Sequence, residues 1–159
     1  MPDTPEDPRT YIGFDYGTTS IGVAVGRLPG GRAQGAGAIV NRARGPDWTA
    51  IESLVRQWQP DAFVVGVPRN MDGSDNPMTH ESLRFGRRLD GRYRLPVYWV
   101  DERLTTVAAR AEVDSTPARR TRRKAMLDTL AAATILQAFF DDARHRGNPY
   151  GRRLRQGLP

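Results

Sequence analysis

Apolar and polar positions fall in blocks that predict a run of strands, followed by helices and strands in alternation. Tyr11–Asp15 and Ile21–Gly26 are short apolar runs separated by the polar turn Tyr16-Gly17-Thr18-Thr19-Ser20, and they read as a β-hairpin. Pro29-Gly30-Gly31 makes a second turn, after which Gly35–Val40 reads as a third, weaker, glycine-rich strand. Asn41–Pro46 is a loop, and Asp47 caps a helix whose apolar stripe is Trp48, Ile51, Val55 and Trp58, stopped by Pro60. Ala62–Val67 is apolar throughout, as in a strand covered on both faces. A polar loop, Pro68–Asn76, ends in Asn76-Pro77, a capping side chain followed by proline at the first helical position. The helix it starts is expected to run to about Asp90 and to end at Gly91. Pro96–Asp101 is another buried strand, Thr105 caps a short alanine-rich helix reaching about Val113, and Ser115-Thr116-Pro117 breaks the chain. A last helix occupies much of Arg122–Arg146.

Two hairpins followed by two strand–helix–strand crossovers predict an α/β fold with a mixed five-stranded sheet. Three antiparallel strands come first, then two parallel strands with right-handed connections. This is the ribonuclease-H-like layout, with the first strand central and helices flanking the sheet. Residues 11–146 form the expected domain, residues 1–10 a disordered N-terminus and residues 147–159 a basic, flexible tail.

Composition narrows the chemistry. The 159 residues include no cysteine, which excludes thiolate metal sites, disulfides and thiol nucleophiles. The opening MPDTPEDPRT is polar and no apolar run reaches the ~20 residues of a membrane span, so a cytoplasmic protein without membrane association is expected. Net charge is +6, and only one of the 24 basic residues, Lys124, is a lysine. Arginine-rich charge suits phosphate, which guanidinium grips bidentately, but a GC-rich genome writes the same composition.

Three acids stand where apolar elements end. Asp15 closes the first strand ahead of Gly17, Glu102 follows the last strand, and Asp128 lies within Met126-Leu127-Asp128-Thr129-Leu130. A buried carboxylate is costly unless it is paired or holds a cation. Mg²⁺ or Mn²⁺ bound by such oxygens can activate water against a phosphodiester. Each acid also has an ordinary explanation. Asp15 can bond the turn amides, Glu102 can pair with Arg103, and Asp128 can be an N-cap. Geometry is the test, because the first and last strands of this layout lie nearly 10 Å apart, at ~4.8 Å per strand spacing. Glu102 has to reach back toward Asp15.

These segments resemble the YqgF (RuvX) family. Asp15-Tyr16-Gly17 with Ile21-Gly22-Val23-Ala24-Val25 is similar to its DxGxKRIGVA opening. Val64-Val65-Gly66-Val67-Pro68-Arg69-Asn70-Met71-Asp72-Gly73-Ser74 is similar to its VVGLPxNMDGS loop, and Asp101-Glu102-Arg103-Leu104-Thr105-Thr106 to its DERLTT box. Arg122-Arg123-Lys124 through Asp128-Thr129-Leu130-Ala131-Ala132 and Ile135-Leu136-Gln137 is similar to its basic run and D-x-x-A-A-x-x-I-L-Q stretch. All four occur in family order from Tyr11 to Asp141. The resemblance implies a ribonuclease-H-like fold related to RuvC resolvases and a nuclease that matures the 5′ end of pre-16S ribosomal RNA, with Holliday-junction resolution in some members. It implies catalytic and metal-binding roles for Asp15, Glu102 and Asp128. It also implies structured RNA or branched DNA as partner, and a homodimer if the chain works as the resolvases do. One departure is visible: Thr19-Ser20 stands where the family has Lys-Arg, so that two phosphate-facing cations are absent and Arg69 or Arg103 would have to replace them.

Phosphate contacts are expected from Arg119, Arg120, Arg122, Arg123 and Lys124, five cations in six residues just before Asp128. A solvated charge run is the alternative. Arg69 and Asn70 follow the carboxyl end of a parallel strand, where ligands favour such sheets. Arg103 completes the expected set. In the same loop Met71 is expected to pack and Asp72 to turn the chain. His80 and His145 are expected at the surface, and Trp48, Trp58 and Trp99 in the core. Two other functions compete with a nuclease. Asp15-Tyr16-Gly17-Thr18-Thr19-Ser20 also resembles the phosphate-binding turn of sugar kinases and actin-like ATPases, which need two such domains. A non-catalytic RNA-binding assembly factor explains the charge equally well but does not require three acids.

Overall fold

The computed structural model describes residues 9–105 and 116–146, with the side chains of Leu104 and residues 143–146 left aside. The alanine-rich helix expected after Thr105, His145, the N-terminus before Arg9 and the basic tail lie outside the described side chains or residues. Six strands form one sheet: β1 (Arg9–Tyr16), β2 (Ser20–Leu28), β3 (Arg32–Arg42), β4 (Gly45–Pro46), β5 (Ala62–Val67) and β6 (Val97–Asp101). Their spatial order is β4-β3-β2-β1-β5-β6. The β1–β2 and β2–β3 pairs are antiparallel, while β5 and β6 add parallel to β1 and to each other. The expected count of five strands is corrected to six by Gly45–Pro46, which pairs with Asn41–Arg42 inside what reads as a loop. Two residues are too short to leave a hydrophobic period. The glycine-rich third strand is also longer than expected, at 11 residues, with a register shift opposite Val23/Ala24.

Alternation assigns the two faces. Ile12, Phe14, Ile21, Val23, Phe63, Val65 and Val67 point to the side covered by α1 (Trp48–Trp58) and α2 (Pro77–Tyr93). Tyr11, Ala24, Val64 and Val100 point to the other side, where α3 (Pro117–Arg146) packs Ala132, Ile135, Leu136, Phe139 and Phe140 against them. Asp47 caps α1 by accepting from the Ala50 amide, and Asn76 caps α2 by accepting from the Thr79 amide while the Thr79 hydroxyl accepts from the Asn76 amide in return. Helix α2 continues past Gly91 to Tyr93 and ends where Arg94 turns left-handed (φ 56°). An interior glycine costs a helix only ~1 kcal/mol, whereas Pro96 disfavours helix in the residue before it. Helix α3 begins at Pro117, five residues ahead of Arg122, with the Thr116 hydroxyl accepting from the Arg119 amide at 3.2 Å. The proline starts this helix in place of breaking the chain, as Pro77 does in α2. Trp58 is corrected to partly exposed at 37%, and Met71, expected to pack, is 92% exposed.

Candidate active site

The carboxyl ends of β1 and β6 and the fourth turn of α3 bring the predicted acids to one face. Gly13 and Asp15 of β1 alternate onto the α3 side, as do Gly66 of β5 and Ser20 and Gly22 of β2. Glu102 opens a short 3₁₀ turn, Glu102–Leu104, that follows β6 and is closed by the Thr105 amide and hydroxyl on the Glu102 carbonyl.

The span from β1 to β6 is bridged by an absence. β5 lies between β1 and β6, and its residue at this level is Gly66. A β-carbon there would stand 2.6 Å from Glu102 Oε1 and 2.4 Å from Ile135 Cδ1. Glu102 therefore lies across bare backbone and hydrogen-bonds Asp15. Burial, the charge of Asp15, their shared hydrogen bond and the charge of Asp101 push the Glu102 carboxyl up to about 8. Burial also raises Asp15, against the hydrogen bond from Glu102; the Asp128 charge raises it further and that of Lys124 opposes. In that hydrogen bond Glu102 is the donor and Asp15 the acceptor, both half-buried.

Asp128 is brought in by close packing. A β-carbon on Gly22 would sit 1.9 Å from the Asp128 carbonyl oxygen, so α3 rests directly on β2. Because α3 starts at Pro117, Asp128 is a mid-helix residue and the N-cap alternative falls away. Its carboxylate accepts from the Ser20 hydroxyl and lies 3.4 Å from Lys124 Nζ. Ser20 was legible in the sequence only as a missing cation; its bond to Asp128 was missed. The alternative for Glu102 also fails, since Arg103 pairs with Asp101, its Nη2 2.5 Å from Oδ2. Burial raises the Asp101 carboxyl, but hydrogen bonds from Arg103 and the charges of Arg103 and Arg69 hold it below the usual range.

The remaining predicted residues divide into two groups. Arg69 ion-pairs with Asp75 and lies over the Trp99 ring at 5.7 Å. Asn70 donates to Ser74 Oγ at 2.9 Å and accepts from Asn76 Nδ2 at 3.1 Å. Asp72 turns the chain by accepting from the Ser74 amide at 2.9 Å. Arg69, Asn70 and Arg103 thus brace the loop and the 3₁₀ turn, whereas Arg119, Arg120, Arg122 and Lys124 are exposed on the first turns of α3, with Arg123 half-buried. His80 is exposed.

Among the described residues, no three acidic or histidine side chains stand close enough together, as placed here, to hold a metal ion. The donor chemistry nonetheless suits a hard cation: two half-buried carboxyls share a hydrogen bond, a third acts on Asp15 through space, and no basic group is among the influences on Glu102.

The strand order, the two-faced helix packing and the acid at the end of the central strand define a ribonuclease-H-like fold. Solved structures agree. Thermus thermophilus RuvC superposes with a TM-score of 0.54 at 14% identity, covering 90% of this chain and 99% of RuvC. The same protein in complex with a Holliday junction substrate gives 0.51, covering 89% and 99%. The chain belongs to the RuvX family, whose model, described as a Holliday junction resolvase, matches residues 9–142. Relatives named "Putative pre-16S rRNA nuclease" include one from Pseudomonas paraeruginosa, 47% identical over 82% of this chain and 91% of its own length. Another, from Actinobacillus pleuropneumoniae, is 44% identical over 84% and 97%. No helix among the described residues is long and apolar enough to cross a membrane.

Proposed function

We propose that this chain is a divalent-metal-dependent endonuclease of the cytoplasm that acts on structured nucleic acid, processing the 5′ end of pre-16S rRNA. One observation carries the reading: Asp15 and Glu102 meet over Gly66, with Asp128 acting on Asp15, beside an arginine-rich helix start. Asp15, Glu102 and Asp128 would hold Mg²⁺ or Mn²⁺, which would supply Lewis-acid activation of water against the phosphodiester. The chain's residues do the rest. Glu102 would serve as a ligand in its deprotonated form, beside the Asp15 carboxylate it now hydrogen-bonds. Ser20 and Lys124 orient Asp128. Arg119, Arg120, Arg122, Arg123 and Lys124 hold backbone phosphates ahead of the acids.

Branched DNA is the second reading, favoured by the description of the matching family and by the RuvC complex with its junction. A homodimer belongs to that reading, since two copies would match the two-fold character of a junction. Incubating purified protein with a 5′-extended 16S precursor fragment and with a four-way junction, each with Mn²⁺ or EDTA, separates the two. Metal-dependent trimming of the RNA without junction cleavage supports the first. Cleavage that survives EDTA removes both. A non-catalytic assembly factor would bind the RNA, cleave nothing and be indifferent to alanine at Asp15, Glu102 or Asp128.

A further inference from the structure

On the face of the sheet opposite the acids, a cavity of about 260 Å³ opens beside the β1–β2 turn. Its wall includes the rings of Tyr16 and the buried Phe85, which lie 5.2 Å apart. Four arginines line it, Arg42 at the end of β3, Arg44 from the β3–β4 connection and Arg84 and Arg88 from α2, against one acid, Glu81. Arg84 and Arg88 share a helix face at i and i+4. Arg88 is steadied by Trp48, 5.1 Å away. Arg42, Arg44 and Arg84 are not in any of the ion pairs found among the described residues. Asn41, 5% exposed on the same wall, clamps the turn by donating to the Gly17 carbonyl at 2.6 Å. Its Oδ1 has no partner, an acceptor for a hydroxyl or water that arrives with a ligand.

Cations gathered around a concave site without matching acids favour a ligand carrying several negative charges. Position says which one. Tyr16 lines this cavity and Asp15, its neighbour in β1, points to the opposite face and Glu102, so the two sites lie back to back across one strand end. The turn between them, Gly17-Thr18-Thr19-Ser20, carries no charge of its own. We propose that the cavity is a second phosphate-binding site for the nucleic-acid backbone, holding phosphates a few nucleotides from the bond at Asp15, with Arg42, Arg44, Arg84 and Arg88 as its donors. It rests on the nuclease reading and names residues which that reading does not use.

The test measures affinity of the full chain for the precursor RNA and the four-way junction, in EDTA, across a KCl series. Three proteins are compared: wild type, the triple variant Arg42→Ala/Arg44→Ala/Arg84→Ala, and Arg119→Ala/Arg122→Ala on α3. Arg88 is spared because it packs on Trp48. Each phosphate contact contributes ~0.7–0.9 to the log–log salt slope, so the triple variant should bind at least ~10-fold more weakly near 100 mM salt with a slope shallower by about 2. Arg42→Gln/Arg84→Gln should move both readings the same way by a smaller amount, which guards against misfolding of the triple variant. Affinity and slope equal to wild type overturn the site. If inorganic pyrophosphate raises the melting temperature of wild type and not of the triple variant while nucleic-acid affinity is unchanged, the cavity takes small anions and the backbone assignment is wrong. Weakening by the α3 variant alone defeats this proposal and leaves the nuclease reading standing, whereas wild type that binds neither nucleic acid defeats both.

Discussion

Glu102→Gln separates the cost of the acid pair from its use. Glutamine keeps the shape of glutamate and can still donate to Asp15, but it cannot ionise. In the wild type the Glu102 carboxyl is raised from 4.5 to about 8. The folded state therefore binds more protons than the unfolded chain between those values. The stability tied to this group is fully present below about pH 4.5 and is lost as pH rises through about 8. At 1.36 kcal/mol per pH unit the loss is on the order of 5 kcal/mol, and about 3 kcal/mol after allowing for partial solvent access to Glu102. The amide escapes that loss. In EDTA at pH 8.5 the variant should melt about 6–12 °C above wild type, at roughly 2–4 °C per kcal/mol for a chain of this size. At pH 4.5 the two should nearly coincide. Thermal unfolding followed by circular dichroism at both pH values reads the difference directly. Mn²⁺ should raise the wild-type melting temperature at pH 8.5 and leave the variant nearly unmoved. Equal gains at both pH values, or none at pH 8.5, would refute a proton-sharing pair.

Three further outcomes follow from the packing around the acids. Ser20→Ala should lower cleavage roughly 10-fold while shifting stability by about 1 kcal/mol, since it removes one hydrogen bond to the Asp128 carboxylate; single-turnover rates beside melting curves check this, and an unchanged rate denies Ser20 a positioning role. Gly66→Ala drives a methyl into Glu102 and Ile135, and should cost about 2 kcal/mol as well as most of the activity; a stable, active variant would show that Glu102 does not cross β5 there. Gly22→Ala meets backbone at Asp128, which cannot rotate away, and should cost about 3 kcal/mol by urea unfolding.

The sequence carried the layout because its strands differ in kind. Ala62–Val67 is buried at every position and reads as a two-sided strand, while Asp47 and Asn76-Pro77 cap helices as their chemistry predicts. The structure departs from the reading where one residue type serves two ends. Pro117 starts a helix although proline also breaks them, Gly91 sits inside one although glycine also ends them, and Gly45–Pro46 pairs over two residues. For the acids, spacing along the chain could nominate Asp15, Glu102 and Asp128 but could not say how Glu102 crosses a strand. The answer lay in Gly66, whose contribution is the side chain it lacks. The arginines around the second cavity escaped notice because Arg42, Arg44, Arg84 and Arg88 come from two elements and form no run. Conversely, Arg69 and Arg103 looked available in sequence, yet Asp75 and Asp101 hold them.

The most direct test is Mn²⁺-dependent cleavage of the 5′-extended precursor RNA by wild type, Asp15→Asn, Glu102→Gln and Asp128→Asn, with affinity measured alongside in EDTA. A shared ion site predicts that each change abolishes cleavage, at least ~100-fold, while affinity stays within about threefold of wild type. Cleavage retained by any one of the three, or lost only in step with binding, would contradict it.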